Sequence, residues 1–185
     1  MKIRSKLIVA ASVATIAGLA AAVQVRAGGD RVAFPENYAK GVRYLTLEKQ
    51  DSRDVRDYYT SPEAAEAAKK GAPLPDGTVI TVVLYAAQLD GQGNLTKDPN
   101  GRLIRTDKIL GYAAMEKRAG WGAAYPEQVR NGDWEYQGFL PDKKVNPNAN
   151  LTSCFTCHRP QAERISSSPT IASRLRHHKE CRYAP

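Results

Sequence analysis

TVITVVLYAAQ, residues Thr78–Gln88, is the stretch of the sequence that most strongly indicates the fold. It is rich in β-branched and aromatic residues, which favour extended strands. Pro73, Pro75 and Gly77 predict a turn before it, and the polar, Gly-rich segment Asp90–Gly101 predicts a hairpin loop after it. The pattern therefore predicts a long strand of an antiparallel sheet.

Other β-rich stretches lie on both sides of this strand, and each predicts a further strand. They are Val42–Glu48, Val55–Thr60, Arg102–Arg118 and Trp134–Leu140. The helical patterns are short. Ser61 is a typical N-cap, Pro62 suits the first helical position, and Gly71 ends the helix predicted over Ala64–Lys70. Two more stretches predict short or partial helices, Pro35–Lys40 and Pro160–Arg176.

Four or five antiparallel strands with a few short helices predict an α+β fold that is mainly antiparallel β-sheet. Such a pattern excludes a four-helix bundle. The chain has 185 residues, of which 42% are hydrophobic and 25% charged, and it shows no internal repeat or linker. We therefore expect one globular domain.

The N-terminus has the pattern of an export signal. Lys2, Arg4 and Lys6 precede the apolar stretch Leu7–Val23, and Val25-Arg26-Ala27 follows with small residues at the two positions read by signal peptidase. An uncleaved anchor is the alternative, but the stretch is Ala-rich and barely long enough to span a bilayer. We therefore predict a signal peptide over 1–27, cleavage after Ala27, and a periplasmic domain over 28–185 with no membrane segment.

The positive charge of the chain does not indicate nucleic-acid binding. The formal net charge is +8, but four of the 27 basic residues lie in the predicted leader, leaving 23 against 19 acidic residues. The remaining basic residues form no stripe, and no nucleic-acid-binding motif is present. We expect no nucleic-acid partner.

Cysteine usage points to a cofactor. The chain has three cysteines, an odd number for an exported protein. Two of them lie in Cys154-Phe155-Thr156-Cys157-His158, the attachment motif of haem c. In this motif the two thiols add across the haem vinyl groups and the His becomes the proximal iron ligand. We therefore predict one covalent haem c held by Cys154, Cys157 and His158.

Other interpretations of these cysteines are weaker. A zinc site would need two more ligands, and a redox disulfide of this spacing should open a helix in an α/β unit. Cys181 is left over near the end of the chain. With His177 and His178 it has a metal-ligand spacing, although a polar terminus is favoured, and it could also link two chains.

The motif lies late in the chain, with only 27 residues after His158 and no Met among them. This position excludes the common small cytochromes c, in which a Met ligand follows the haem motif. An exported, β-rich monohaem protein with a late motif instead resembles the cytochrome P-460 and cytochrome c′-beta superfamily. The matching stretches are Phe34–Tyr38, Tyr59–Glu63, Asp76–Thr78, Met115–Trp121, Asn131–Tyr136 and Asn150–His158.

The resemblance covers a core of about 34–161. It implies an antiparallel sheet packed against the haem, a proximal His near the C-terminus, and a homodimer. It also implies roles for residues near the haem. Arg56 matches an Arg of the distal pocket, although a solvated strand residue is the alternative. Trp134 and Tyr136 are expected in the core or at a dimer surface.

Two positions depart from the hydroxylamine-oxidising members of this superfamily. Val82 stands where those enzymes have a Lys cross-linked to the haem, and Ala113 stands where they have a distal carboxylate. Neither side chain can form the cross-link or transfer a proton. Oxidation of hydroxylamine or another small nitrogen compound is therefore the least favoured function.

Met115 is the only Met after the predicted leader, so a thioether ligand to the iron can only be Met115. Strand alternation predicts that Ile109, Gly111, Ala113 and Met115 share one face, and the small residues suggest close approach of a flat ring. We therefore predict His/Met-ligated electron transfer, for which a redox partner protein is needed. If Met115 is only a core residue, a five-coordinate iron that binds nitric oxide or carbon monoxide is the alternative.

Overall fold

The computed structural model describes residues 31–125, 127 and 130–165, with the backbone alone for 160–165. Within these ranges a five-stranded antiparallel sheet is flanked by two α-helices and two short 3₁₀ turns. The strands are β1 (Val42–Lys49), β2 (Asp54–Thr60), β3 (Val79–Ala87), β4 (Arg105–Lys117) and β5 (Trp134–Phe139). The helices are α1 (Pro62–Lys69) and α2 (Leu151–Ile165), and the 3₁₀ turns are Tyr38–Lys40 and Trp121–Ala124. The predicted α+β class with a mainly antiparallel sheet is confirmed.

The strands are ordered β1-β2-β3-β4-β5, so each strand pairs with its neighbours in sequence. The stretch that opened the sequence analysis forms β3, at the centre of the sheet. Helix α1 begins as predicted, because the Ser61 side chain accepts a hydrogen bond from the Ala64 amide at 3.2 Å and Pro62 occupies the first turn. Gly71 follows the helix with a φ of 68°, a conformation that favours glycine.

A β-bulge in β4 corrects one prediction. Leu84 pairs with Gly111 but Tyr85 pairs with Ile109, so Leu110 has no partner in the ladder and is 42% exposed. The extra residue reverses the alternation, and Ile109 packs on the opposite face from Gly111, Ala113 and Met115. The prediction that all four residues share one face is therefore wrong for Ile109.

The two faces of the sheet are covered by different parts of the chain. The motif face, which carries Ile80, Met115 and Tyr136, packs against Cys154 and Phe155 of α2. The reverse face carries the alternate residues and packs against the segment that precedes β1. Its core residues are Val32, Phe34, Tyr38, Tyr59, Val83, Tyr85, Ile109, Tyr112, Ala114, Trp121 and Phe139.

Helix α2 begins earlier than the sequence indicated. Helix was predicted in part from Pro160 onward, but α2 begins at Leu151 and contains the whole haem motif. The Asn150 side chain accepts a hydrogen bond from the Ser153 amide at 3.2 Å, as an N-terminal capping side chain does. Among the described residues, no helix is both long and apolar enough to cross a membrane.

Candidate haem-attachment site

The residues of the motif lie on the first two turns of α2. Cys154, Cys157 and His158 are spaced by three and four residues, so the helix brings them to one side. The Cys154 thiol is buried, whereas Cys157 and His158 are half-buried. Haem attachment uses both cysteines as thiols, because each one adds across a haem vinyl group.

Phe155 anchors the motif to the sheet. Its ring lies 4.8 Å from the ring of Tyr136 on β5 and 5.7 Å from that of Tyr125, measured between centroids. Tyr136 also lies against the predicted proximal ligand, with 5.1 Å between its ring and the His158 imidazole. Tyr136 is predicted in the core or at a dimer surface, and it lies in the core, where it is 2% exposed.

The four predicted haem-contact residues of the sheet all lie on the motif face. Val82 pairs with Ala113, which in turn pairs with Gly138. Met115, two residues further along β4, pairs with Ile80 and Tyr136. On β2, Tyr58 pairs with Val82, and Arg56 is two residues from Tyr58 and so shares its face. The structure therefore brings Arg56, Val82, Ala113 and Met115 to the face that carries the motif helix.

Arg56 is not a solvated strand residue. Its side chain is 4% exposed and forms a bidentate ion pair with Asp54, with Nε–Oδ1 2.7 Å and Nη2–Oδ2 2.9 Å. The adjacent Tyr58 is also buried, and burial raises its pKa to about 12, although the Arg56 charge acts in the opposite direction. The pairing of Arg56 with Asp54 is predictable from the sequence, because residues two apart on a strand share a face.

The structure gives a reason of its own for a glycine at position 111, apart from the predicted approach of a flat ring. A Cβ at Gly111 would lie 2.8 Å from the carbonyl oxygen of Phe139, so the close approach of β5 excludes a side chain there. Ala113 lies directly between Val82 and Gly138 in the sheet. Ala113 is 4% exposed, and a Cβ at Gly138 would lie 2.7 Å from the Cβ of Ala149, so the segment before α2 covers the motif face at this point.

The motif face fits a flat, apolar cofactor. Ile80, Val82 and Leu84 point toward this face and are only half-buried, whereas Thr81 and Val83, which alternate with them, are 2% and 0% exposed. A row of partly exposed aliphatic side chains suits the face of a haem ring. The two thiols and the imidazole of the motif would hold such a group, and would supply its covalent links and an iron ligand.

Met115 is 9% exposed and belongs to an apolar cluster with Cys154 and Phe155. Ile80, Leu74 and Leu151 pack against the same cluster. The thioether therefore lies in the core between the sheet and the motif helix. This position is compatible with both interpretations of Met115, as an iron ligand or as a core side chain.

The fold and the motif define a class, the c-type haem proteins, here built on an antiparallel sheet. A family model described as Cytochrome P460 matches residues 35–165. The chain belongs to the cytochrome P460 family, as its resemblance indicated, and members of this family bind haem c. No curated protein matches the chain.

Some predicted features lie outside the described residues. These are the leader 1–27, with its cleavage after Ala27, and the possible metal ligands His177, His178 and Cys181. Within the described part of the chain, no group of three or more His, Cys, Asp or Glu side chains could hold a metal ion.

Proposed function

We propose that this chain is an exported c-type cytochrome that transfers electrons in the periplasm. One haem is bound through Cys154 and Cys157, with His158 as the proximal ligand. The family supports the cofactor, and the leader pattern of the sequence supports export. An electron carrier of this kind works with a redox partner protein, and we propose a homodimer as its assembly.

The position of Met115 is the observation that carries the electron-transfer role. Met115 is the only thioether after residue 27, it lies on the motif face, and it shares an apolar cluster with Cys154. A flexible thioether in this position suits a sixth iron ligand. His/Met ligation raises the potential of a haem into the range used for electron transfer.

Two substitutions argue against an oxidase. Val82 and Ala113 lie side by side on the motif face, where the hydroxylamine-oxidising relatives have a Lys and a carboxylate. Aliphatic side chains can neither cross-link the haem nor accept a proton. We therefore expect a reduced spectrum without the red shift of a cross-linked haem, and no hydroxylamine turnover above that of free haem.

Optical spectroscopy of Met115→Ala tests the ligand directly. A ferric haem with a thioether ligand has a weak far-red charge-transfer band, which we expect in the wild type and expect to be absent from the variant. Ile80→Ala is the matched control, because Ile80 pairs with Met115 across the sheet and packs on the same cluster. This control should retain the band.

Absence of the band in the wild type, or an identical spectrum in Met115→Ala, would contradict electron transfer through a His/Met iron. That result would favour the second candidate function, binding of nitric oxide or carbon monoxide at a five-coordinate iron.

Arg56 and Tyr58 favour this second function. Both are buried on the motif face next to Val82, so this part of the face carries a phenol and a guanidinium, the latter paired with the Asp54 carboxylate. Polar groups of this type can donate hydrogen bonds to a small polar ligand. Titration of the reduced wild type with carbon monoxide separates the two functions, since a six-coordinate iron should bind it only weakly or slowly.

A further inference from the structure

We propose that Asn131 and Tyr136 are positioning residues for the proximal ligand His158. We call this pair the proximal clamp. The proposal rests on the proposed haem attachment, because the orientation of His158 affects the cofactor only if His158 ligates the iron. It goes beyond that function by assigning a role to two side chains of the sheet that the haem motif does not contain.

Asn131 connects the sheet to the motif helix. Its side chain is buried, the residue being 1% exposed, and its Nδ2 donates to the Tyr136 hydroxyl at 2.6 Å and to the Phe155 carbonyl oxygen at 3.4 Å. One amide group therefore contacts both the ring that touches the imidazole and the backbone of the helix that carries it. Movement of α2 relative to β5 would disturb both contacts.

Tyr136 transmits this restraint to His158. Its ring packs against Phe155 at 4.8 Å and an interplanar angle of 68°, and against His158 at 5.1 Å and 38°. The hydrogen bond at the hydroxyl fixes the position of the far end of the ring. The face that Tyr136 presents to the imidazole is thereby fixed by Asn131.

The polar atoms of the clamp are not required for packing. A Phe at position 136 would fill nearly the same volume, and an apolar side chain at 131 would avoid burying an amide. The Oδ1 atom of Asn131 is buried and accepts no hydrogen bond within the described part of the chain. An unpaired buried acceptor lowers stability. The same side chain holds its Nδ2 donor in a fixed direction, and we infer that this fixed direction is the advantage that offsets the lower stability.

The backbone around Asn131 fixes where that donor lies. Gly132 has a φ of 56°, and Asn131 and Asp133 form an isolated bridge around it, so the chain makes a tight turn directly before β5. The Trp134 amide donates to the Asn131 carbonyl oxygen at 3.3 Å. Groups behind an axial ligand that fix its orientation tune the properties of the metal centre.

Three variants test the clamp on the haem-loaded protein. Tyr136→Phe removes the hydroxyl and keeps the ring, and Asn131→Ala removes the donor. Tyr125→Phe is the matched control, because Tyr125 is also buried and also packs on Phe155, at 5.7 Å, from another position. If Asn131→Ala does not fold, Asn131→Asp replaces it, since it keeps the shape and removes the donor.

The readouts are the reduction potential, from spectroelectrochemistry, and the electron paramagnetic resonance spectrum of the ferric protein. We expect Tyr136→Phe and Asn131→Ala to shift the reduced-to-oxidised ratio at a given potential by about threefold, in the same direction. The double variant should shift it no further than either single variant, because the two residues act as one unit. The control should leave both readouts unchanged.

Lowered thermal stability with unchanged potential and spectrum in both clamp variants would overturn the proposal and leave a packing role alone. An equal shift in Tyr125→Phe would overturn it too. Mass measurement under denaturing conditions distinguishes a failure of the clamp proposal from a failure of the proposed haem attachment. A wild type that carries no covalent haem contradicts the function, whereas haem-loaded variants with unmoved readouts contradict only the clamp.

Discussion

The two faces of the sheet differ in how completely the chain covers them. On the reverse face, aromatic rings from the segment before β1 meet rings of β2, β4 and β5 edge to face. Centroid distances are 5.0 Å for Phe34–Tyr112, 5.2 Å for Phe34–Phe139 and 5.3 Å for Tyr38–Tyr59. Such pairs stabilise a core beyond the area they bury. Within the described residues, aromatic contacts therefore close much of the reverse face, which also buries the carboxylates of Asp57 and Glu135.

The motif face combines half-buried aliphatic side chains with the buried Arg56–Asp54 ion pair. The buried ion pair does not distinguish the faces, because Asp57 on the reverse face is also buried in ion pairs with Arg43 and Arg105. The half-buried aliphatic side chains of β3 do distinguish them, because exposed aliphatic area lowers stability. Adjacent residues of one strand, such as Val82 and Val83, thus serve different purposes. Because side chains alternate along a strand, one face can carry residues that stabilise the domain while the other carries residues of the site.

The largest expected effect comes from removing the motif thiols. In Cys154→Ala/Cys157→Ala we expect complete loss of covalent haem, because no thioether can form. The mass under denaturing conditions should equal that of the polypeptide alone, while the wild type should exceed its polypeptide by one haem. Tyr38→Phe, a change on the reverse face, should keep the haem. Covalent haem in the double variant would contradict the assignment of the motif.

A pair of substitutions on β3 sharpens the comparison of the two faces. Val83 is fully buried on the reverse face, so we expect Val83→Ala to lower the free energy of unfolding by about 2 kcal/mol and leave the haem spectrum unchanged. Val82→Ala should cost less than about 1 kcal/mol and change the spectrum, because Val82 is half-buried on the motif face. Denaturant unfolding and absorption spectra measure both. The reverse pattern would show that the faces are misassigned.

The smallest expected effect concerns Glu135, which is 0% exposed on the reverse face. Neither of its carboxylate oxygens accepts a hydrogen bond within the described residues, and Arg31 Nη1 approaches Oε1 only to 3.7 Å. Burial raises the pKa of Glu135 above its ordinary value of 4.5, although Tyr125 and Arg31 oppose the shift. The folded protein therefore keeps this proton to a higher pH than the unfolded chain does.

The raised pKa of Glu135 determines how the free energy of unfolding changes with pH. The free energy of unfolding should fall as the pH rises from the unfolded pKa through the folded one, because the ionised carboxylate is penalised only in the folded state. We expect Glu135→Gln to raise stability at pH 7 by about 1 kcal/mol and to have no such effect below about pH 4. Thermal unfolding at both pH values is the measurement. An equal gain at both would point to a cause other than ionisation.

Much of this organisation is predictable from the sequence, because side-chain patterns report on it. β-Branched runs predicted the strands, and Ser61 and Pro62 predicted the start of α1. The attachment site inferred from the Cys and His spacing stays a prediction. The bulge at Leu110 was missed because a bulge adds a backbone residue without a characteristic side chain. Its effect was to turn Ile109 to the other face.

The contacts behind the site were harder to predict. Asn131 lies 27 residues before His158 in sequence, and only the packing of α2 against β5 brings the two regions together. Asp54 could have been found as the partner of Arg56, since the two lie two residues apart on one strand. The Cys and His spacing indicates the chemistry of the motif but not the helix that carries it, so the sequence does not indicate the early start of α2.

The order of the strands also sets the order in which the protein can be assembled. Within the described residues, every strand pairs only with its neighbours in sequence, and the last strand ends at Phe139. The motif helix begins at Leu151, after the connecting segment 140–150. Domains made of local pairings fold faster than those that depend on distant ones. As the chain emerges from its N-terminus, all five strands precede the motif helix, so the sheet can form while the motif thiols are still accessible for the proposed attachment of haem.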